Sequence, residues 1–230
     1  RGYEVTIFDL KSSAYLKKTQ KMVVGDILNP QKVETAAKGA DIIYNFAGIV
    51  DIYEAKVNPV ETVKQNILGN TIILEASRKN NVKRFLFASS IYVYSNLGSF
   101  YRSSKQSCES IIEDYQKAFG INFTILRYSS LYGPRSDEKN WIYNILKQAL
   151  TTKKIVRDGD GEEIREYIHV CDAARISIEA LDEQYANQYV IISGNQPIKI
   201  KDLLMMIKEM LNNKIGIEYA APRIDYHYEI

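Results

Sequence analysis

The stretch SSIYVYSNLGSFYRSSK, residues 89–105, combines residue types and spacings that suit proton transfer. Tyr101 and Lys105 are four residues apart at a predicted helix start, so their side chains share one helix face. A free tyrosine has a pKa near ~10, but a nearby ammonium group lowers that pKa by stabilising the phenolate. Ser90, at the end of the preceding predicted strand, is placed to hydrogen-bond the same substrate oxygen. These residues predict proton removal from a hydroxyl group beside a hydride acceptor.

The same residues also have an ordinary interpretation. Tyr-x-x-x-Lys spacings occur by chance on many surface helices, and Ser89 and Ser90 suit the end of any buried strand. The order along the chain favours the catalytic interpretation. A strand, a serine, a short loop, a Tyr-x-x-x-Lys helix and another strand follow one another.

The elements that must position these residues predict an α/β fold. Helical patterns at 59–78 and 103–119 alternate with apolar runs, and Gly120 stands where a helix C-terminus favours a left-handed residue. Nearly continuous apolar runs suit strands covered on both faces, as in a parallel sheet. The predicted strands are 3–8, 22–24, 41–48, 82–90 and 122–130. This alternation is typical of a doubly wound α/β sheet.

Beyond residue 133 the pattern changes and predicts a smaller α+β lobe. It contains two short strands around the Gly-Asp-Gly turn at 159–161. The other elements expected there are a helix within 133–152, a short helix at 171–182, a strand at 189–193 and an amphipathic helix at 200–213.

Composition narrows the possible classes of protein. The chain has 230 residues, of which 46% are hydrophobic, so it can bury a sizeable core. Its net charge is +2 without a basic block, which predicts neither a nucleic-acid nor a membrane partner. No apolar run approaches the about 18 residues that span a bilayer. Cys108 and Cys171 lack metal-site spacing, so we expect no metal and interpret both as reduced packing residues of a cytoplasmic protein.

Two carboxylates at predicted strand ends suit a dinucleotide. Asp9 can accept hydrogen bonds from a ribose diol, and its charge repels a 2′-phosphate, which favours NAD over NADP. Asp26 is placed to meet the adenine amine. The alternatives are a plain loop aspartate for Asp9 and a helix N-cap for Asp26.

Two further positions suit phosphate groups. Phe46, Ala47 and Gly48 include small residues where a backbone approaches a pyrophosphate, although a tight turn is the alternative. Arg165 is a candidate fork donor to a phosphate, and the alternative is a solvated strand arginine.

Together these segments resemble the extended short-chain dehydrogenase/reductases, and within them the nucleotide-sugar epimerase/dehydratase group, over residues 2–181. The segments that carry the resemblance are VTIFDL, GDI, NFAG, NILGN, FASSIYVYS, YRSSK, RYSSLYGPR and GDGEEIREYIHVCDAA. The resemblance implies a Rossmann-type doubly wound parallel sheet that binds NAD at residues 1–133, with further sheet elements from 155–192. It also implies a substrate-binding lobe mainly at 134–230, interleaved with the sheet in one structural unit.

The resemblance also implies roles for single residues. Tyr101 would be the catalytic base or acid, Lys105 would bind the nicotinamide ribose, and Ser90 would hold the sugar hydroxyl. Arg165 would bind the substrate diphosphate, and Ser130 would contact the substrate. The implied cofactor contacts are Asp9, Leu10, Asp26, Ile27, Phe46, Ala47, Gly48, Asn66, Lys105 and Tyr128.

Several features depart from the family pattern. No G-x-x-G-x-x-G occurs, so we expect the first strand and its glycine-rich loop, about 25 residues, to precede Arg1. Only ten residues separate Ser90 from Tyr101, where the family usually has a longer loop, and Ser130 stands where an asparagine is common. Ile91 and Tyr92 replace the Asp-Glu pair of 4,6-dehydratases, which disfavours dehydration.

The prediction is therefore an NAD-dependent epimerase that inverts C4 of a nucleoside-diphosphate hexose through a 4-keto intermediate. A nucleotide-sugar 4-ketoreductase or dehydrogenase is the alternative reaction, and a non-catalytic NAD-binding scaffold or sensor is the alternative of another class. The resemblance further implies a homodimer packed through the helices at 59–78 and 103–119, and a role in polysaccharide biosynthesis.

Overall fold

In the computed structural model, which describes residues 2–221, the chain divides into two compact units. The first contains the chain up to Val93 together with Gly98–Leu126 and Ala180–Val190. The second contains Tyr94–Leu97, Arg127–Glu179 and the chain from Ile191 onward. The predicted lobe at 134–230 includes residues 222–230, which lie outside the residues that the structure describes.

The first half of the chain alternates strands with helices, as predicted. Its elements are β1 (Val5–Asp9), β2 (Gln20–Val24), α1 (Pro30–Ala36), β3 (Ile42–Asn45), α2 (Ile52–Val57), α3 (Pro59–Thr62), a π-helical segment (Val63–Leu68), α4 (Gly69–Lys79), β4 (Arg84–Ser90), a 3-10 turn (Ile91–Tyr94), α5 (Ser99–Phe119) and β5 (Asn122–Tyr128). Polar side chains start the early helices. The Asn29 carboxamide accepts a hydrogen bond from the Lys32 N–H in the first turn of α1. The Asp51 carboxylate likewise accepts one from the Glu54 N–H in the first turn of α2.

The second half contains shorter elements. They are β6 (Ser130–Tyr132), α6 (Trp141–Thr152), β7 (Lys154–Asp158), β8 (Ile164–His169), α7 (Val170–Glu179), a 3-10 turn (Glu183–Tyr185), β9 (Gln188–Ile192), β10 (Pro197–Lys199), α8 (Ile200–Met210) and β11 (Gly216–Ala220). Within residues 2–221 no helix has the length and hydropathy that crossing a bilayer requires.

The predicted parallel sheet is present in two pieces. β1 pairs in parallel with β2, so that Asp9 lies opposite Val24. A second sheet has the order β3-β4-β5-β9, and β3 runs parallel to β4. Within the described residues, β1 has β2 as its sole partner and β3 has β4 as its sole partner. Each of these strands therefore leaves one edge unpaired.

The later strands form two small sheets, as expected for an α+β lobe. One has the order β10-β8-β6, with β8 antiparallel to β10 and parallel to β6. The other pairs β7 in parallel with β11. The strands predicted around the Gly-Asp-Gly turn exist as β7 and β8, but each pairs with a different partner strand.

The core of the first unit lies where α4 and α5 pack on β4 and β5. Phe85, Leu86 and Phe87 of β4 are buried, as a strand covered on both faces requires. α5 adds Ile112 and Cys108, which is a packing residue as predicted. The same prediction is wrong for Cys171, which is exposed at the start of α7.

Helix α5 begins four residues earlier than its apolar pattern indicated. Gly98 and Ser99 have φ angles of 99° and 49°, and this left-handed pair turns the chain into the helix at Ser99. The helix ends as predicted, because Gly120 has a φ of 72° and its N–H donates to the Gln116 carbonyl. The predicted helix at 59–78 is a continuous run of α3, the π-helical segment and α4.

The second unit has its own core. Ile155 of β7 and Leu204 of α8 are fully buried and pack with Ile145 and Ala149 of α6. α8 is amphipathic as predicted, since Met206, beside this buried face, remains 46% exposed.

Candidate active site

Strand β4 and helix α5 bring the three predicted catalytic residues together. Ser90 is the last residue of β4, while Tyr101 and Lys105 lie on the first turns of α5. All three are buried. The Tyr101 and Ser90 hydroxyl groups form a hydrogen bond, and the Tyr92 N–H donates to Ser90 Oγ over 3.2 Å. The spacing of the three residues in the sequence thus produces one cluster of polar groups within the first unit.

Lys105 is a cation with little access to solvent. Its Nζ donates to the Ala88 carbonyl over 2.7 Å and lies 4.7 Å from the centre of the Phe87 ring. Desolvation by burial lowers the pKa of Lys105 to about 8, although the nearby Cys108 and Glu109 act in the opposite direction. The ammonium group is therefore close to losing its proton under mildly basic conditions.

The phenol of Tyr101 behaves differently from the sequence-based expectation. Burial raises the pKa of Tyr101, and the hydrogen bond with Ser90 only partly offsets this effect. The Lys105 Nζ lies 5.8 Å from the centre of the Tyr101 ring and is bonded to a main-chain carbonyl instead. The predicted lowering of the tyrosine pKa by Lys105 is therefore not observed, because desolvation dominates.

The π-helical segment places Asn66 between the loop after β3 and helix α5. Asn66 Oδ1 accepts the Ile49 N–H over 2.7 Å, and Asn66 Nδ2 donates to the Ile49 carbonyl and to Ser104 Oγ. Ser104 in turn donates to the Tyr101 carbonyl over 2.7 Å. Gly48 has a φ of 142°, and a Cβ there would lie 2.6 Å from Asn66 Oδ1. Asn66 therefore fixes the main chain of the predicted cofactor loop at Gly48 and Ile49.

The rest of that loop has one exposed and one anchored residue. Phe46 is exposed and stacks on Tyr44 with ring centres 5.6 Å apart. The Ala47 N–H donates to Asn45 Oδ1, and Asn45 Nδ2 donates to the buried Asn70 Oδ1 over 2.8 Å. A pair of buried amides thus supports the segment that we predicted to approach the pyrophosphate.

Asp9 and Leu10 lie at the carboxyl end of β1, and both are exposed. The Lys11 N–H donates to Asp9 Oδ1 over 3.0 Å, which leaves the other carboxylate oxygen accessible to a ligand. Because β2 runs parallel to β1, Asp26 follows a strand that ends at the same edge. This placement is compatible with the predicted ribose and adenine contacts.

Asp26 and Ile27 have clear local roles. Asp26 Oδ1 accepts the Leu28 N–H over 2.8 Å, and the N-cap of α1 is Asn29. The alternative interpretation of Asp26 as that helix cap is therefore wrong. The Ile27 side chain packs in the core against Gly69, so the main chain of Ile27 is the part that remains for the predicted adenine contact.

The remaining predicted residues belong to the second unit. The Tyr128 hydroxyl shares a 2.6 Å hydrogen bond with Ser177 Oγ, and burial raises the pKa of Tyr128. Ser130 begins β6, and Arg165 lies in the adjacent β8. Arg165 is half-buried, and its Nη1 donates to the Ile164 carbonyl. The cofactor and substrate roles of these residues stay predictions.

A second layer of buried residues around the cluster was not predicted from the sequence. Ser89 Oγ donates to Glu109 Oε1 over 2.5 Å, and both residues are buried. The Tyr92 ring meets the Tyr101 ring edge-on, with centres 6.2 Å apart. Glu109 follows Lys105 by four residues, so the same spacing that linked Tyr101 with Lys105 was a signal for Glu109 as well.

Comparison with known proteins connects this geometry to one family. The model of the NAD dependent epimerase/dehydratase family matches residues 1–192. The chain belongs to this family. It is therefore an enzyme of the extended short-chain dehydrogenase/reductase type whose cofactor is NAD.

Individual relatives act on different nucleotide sugars. A protein of Methanocaldococcus jannaschii, provisionally named a UDP-glucose 4-epimerase, is 29% identical over 84% of this chain and 68% of its own length. The UDP-glucuronate 4-epimerase of Thermodesulfobacterium geofontis is 25% identical over 95% of this chain and 72% of its own. A dTDP-glucose 4,6-dehydratase of Mycobacterium tuberculosis is 24% identical over 96% and 72%. The comparisons thus establish the family, while its members catalyse different reactions.

Solved structures confirm the fold. The UDP-N-acetylglucosamine 4-epimerase of Methanobrevibacter ruminantium superposes with a TM-score of 0.90 at 24% identity, covering 98% of this chain and 80% of that one. The UDP-glucose 4-epimerase of Thermotoga maritima gives a TM-score of 0.88 at 24% identity, covering 99% and 81%. The predicted α/β Rossmann-type fold is therefore correct.

Proposed function

We propose that the protein is an NAD-dependent epimerase that inverts C4 of a nucleoside-diphosphate hexose. The observation that carries this proposal is the buried, hydrogen-bonded pair of Ser90 and Tyr101 with Lys105 one helical turn further along. Such a set suits reversible proton transfer with a sugar hydroxyl. The epimerases among the relatives and solved structures support the choice of reaction.

Each of the three side chains has one role in this reaction. Tyr101 takes the proton of the sugar 4-hydroxyl as C4 loses a hydride, and it returns the proton when the 4-keto group is reduced on its other face. Ser90 orients the same oxygen by a hydrogen bond. Lys105 supplies positive charge beside the phenolate and binds the nicotinamide ribose. NAD, when bound, supplies the hydride acceptor and donor for C4.

The first unit offers groups that fit NAD. The exposed Asp9 carboxylate can accept both ribose hydroxyls, and its negative charge disfavours a 2′-phosphate. Gly48 carries no side chain, so the chain there can approach a pyrophosphate closely. We expect the other cofactor contacts at Leu10, the main chain of Ile27, and Ala47.

A 4-ketoreductase or dehydrogenase on the same scaffold remains the second candidate, since Ser90, Tyr101 and Lys105 serve either reaction. A 4,6-dehydratase is less favoured, because Ile91 and Tyr92 occupy the 3-10 turn after Ser90 and neither is a carboxylate. A non-catalytic NAD-binding scaffold would not require a buried set of proton-transfer groups.

The test is an incubation of the protein with catalytic NAD and a panel of UDP-, GDP- and dTDP-hexoses. Sugars are identified by NMR while nicotinamide absorbance is followed. A new C4 isomer without net NADH supports the proposal. Stoichiometric NADH with an oxidised sugar would replace it with the dehydrogenase assignment.

Tyr101→Phe is expected to lower turnover by about 10²–10⁴-fold, because the phenol that carries the proton is lost. NAD affinity measured by calorimetry should change little, since the ring and its packing remain. Tyr53→Phe, at a tyrosine that is 73% exposed, is the matched control and should retain wild-type turnover. Weakened NAD binding with retained turnover would contradict the role of Tyr101.

We further propose that the enzyme is a cytoplasmic homodimer that contributes to polysaccharide biosynthesis. Support for the dimer comes from an exposed apolar surface formed by Val57, Val60 and Val63 of α2, α3 and the π-helical segment. Two cysteines without a disulfide suit a reducing compartment. The Val60 variant described in the Discussion tests the dimer.

A further inference from the structure

A buried carboxylate lies directly behind the proposed catalytic residues. Glu109 is one turn beyond Lys105 on α5, and only 7% of its surface is exposed. Its Oε1 accepts a 2.5 Å hydrogen bond from Ser89, the neighbour of Ser90 on β4. Carboxylates are rarely buried unless a charge or a set of donors compensates them. The proposed reaction gives Glu109 no direct contact with substrate.

Lys105 and Glu109 compensate each other in charge. Residues four apart on a helix are neighbours, and Lys105 is 3% exposed. The hydrogen-bond acceptor of the Lys105 Nζ is the neutral Ala88 carbonyl, which does not balance its charge. A buried ammonium without an anion nearby would be strongly disfavoured.

Other elements packed against α5 do not supply this anion. The groups that influence Lys105 electrostatically are Cys108 and Glu109. Cys108 is a thiol whose pKa burial raises to about 12, so it is neutral at physiological pH. Within the described part of the chain, none of the other ionisable residues on the elements packed against α5 is among the causes of the Lys105 pKa shift. On α2, α3, the π-helical segment, α4 and β4 these residues are Tyr53, Glu54, Lys56, Glu61, Lys64, Glu75, Arg78, Lys79 and Arg84.

We propose that Glu109 is a positioning residue whose carboxylate keeps Lys105 charged and, through Ser89, fixes the strand end that carries Ser90. The proposal deepens the proposed function, since it assigns the group that maintains the cation beside Tyr101. Loss of the Glu109 charge would favour neutral Lys105, because burial already lowers the pKa of that lysine to about 8. A neutral Lys105 no longer stabilises a phenolate at Tyr101.

Three single variants separate the charge of Glu109 from its hydrogen bond. Glu109→Gln removes the charge and retains an acceptor for Ser89. Ser89→Ala removes the hydrogen bond and retains the charge. Asp114→Asn, at an exposed position on the same helix, is the matched control. The readout is a pH titration of [ε-13C]lysine-labelled protein by NMR, with the Lys105 signal assigned by its loss in Lys105→Arg.

We expect Glu109→Gln to lower the proton affinity of Lys105 by about tenfold or more, a shift of one pH unit. Ser89→Ala and Asp114→Asn should change this affinity by less than about threefold. An unchanged Lys105 titration in a folded Glu109→Gln protein would overturn the proposal. A shift of similar size in Asp114→Asn would also overturn it, because the effect would then not be specific to Glu109.

This titration needs neither NAD nor sugar, so it is independent of the proposed reaction. If the wild-type protein turns over no hexose while Glu109→Gln still lowers the pKa of Lys105, the proposed epimerase function is wrong. The role of Glu109 in keeping Lys105 charged is then still supported. If turnover is found, the pH at which it declines should be lower in Glu109→Gln than in the wild type, by the same amount as the pKa of Lys105. A decline that stays in place while Lys105 shifts would refute the link to catalysis.

Discussion

Burial acts on Tyr101 and Lys105 in the same sense, because it disfavours the charged form of both. The pKa of the phenol is raised and that of the ammonium is lowered to about 8. Proton transfer at neutral pH needs the opposite, a phenolate beside a cation. The Glu109 carboxylate favours the cation at Lys105, and the positive charge of a bound nicotinamide would favour the phenolate at Tyr101.

Turnover is expected to decrease as the pH rises through about 8, the pKa of Lys105. The sign follows from the direction of the shift. The pKa of Lys105 is lowered from 10.5, so the ammonium is present below pH 8 and is lost above it. The measurement is kcat against pH at saturating NAD and sugar. A rate that stays constant up to the ordinary lysine pKa would contradict a requirement for charged Lys105.

At the scale of single residues, helical spacing predicted which side chains lie together but not their surroundings. It predicted that Tyr101 and Lys105 share a face, and the same rule applied to Glu109 would have found the buried carboxylate. It could not predict that the Lys105 Nζ bonds to the Ala88 carbonyl, because that acceptor depends on how α5 packs on β4. The direction of the Tyr101 pKa shift was missed for the same reason, since the burial that raises this pKa depends on tertiary packing.

At the scale of elements, the loop after β3 depends on close approach of Gly48 to the π-helical segment. Gly48→Ala is expected to cost about 3 kcal/mol of stability and to weaken NAD binding, because its φ is 142° and its Cβ would lie 2.6 Å from Asn66 Oδ1. Gly39→Ala is the control. Gly39 has a φ of 75° but no atom within 4 Å of a Cβ, so about 1 kcal/mol is expected.

Urea unfolding gives both free energies, and calorimetry gives the NAD affinity of each variant. Equal losses of stability in the two alanine variants would show that Asn66 moves aside and does not constrain the loop. Retained NAD affinity in Gly48→Ala would remove this loop from the proposed cofactor site.

In the second unit, β7 carries a buried ion pair. Arg157 contacts the fully buried Glu163, and its guanidinium lies 5.3 Å from the centre of the Trp141 ring. Arg157→Met is expected to destabilise the protein by about 3 kcal/mol, because it removes the cation that compensates a buried carboxylate. The double variant Arg157→Met/Glu163→Gln should recover most of this loss in urea unfolding. A double variant no more stable than the single one would contradict the charge explanation.

Element types were predictable from apolar periodicity, while their boundaries and irregularities were not. The helix start at Ser99 results from left-handed Gly98 and Ser99, which apolar spacing does not report. The π-helical turn at Val63–Leu68 has no signature in an apolar pattern that fits an ordinary helix. Strand pairing in the second unit could not be predicted from the sequence either, because local turn residues do not specify partner strands that are distant in the chain.

At the scale of the whole molecule, dimerisation is the proposal that a single surface change can test. Val60→Lys is expected to abolish the dimer, because it places a charge in the apolar surface of Val57, Val60 and Val63. Val156→Lys, at a valine that is 44% exposed in β7, is the control and should remain dimeric. Light scattering coupled to size exclusion reports both masses. A wild-type monomer, or a Val60→Lys dimer, would contradict the proposed interface.

The α/β class and the smaller α+β lobe were predictable because strand and helix periods differ so clearly. The strand order β3-β4-β5-β9 was not predictable from periodicity, since hydrophobic patterns identify strands and not their neighbours.

Within residues 2–221, the unpaired edges of β1 and β3 are positions where another strand can add. Rows of unsatisfied main-chain N–H and C=O groups are templates for a strand from another molecule. Both edges therefore present main-chain groups that can pair with a further strand, whether that strand belongs to the same polypeptide or to another molecule.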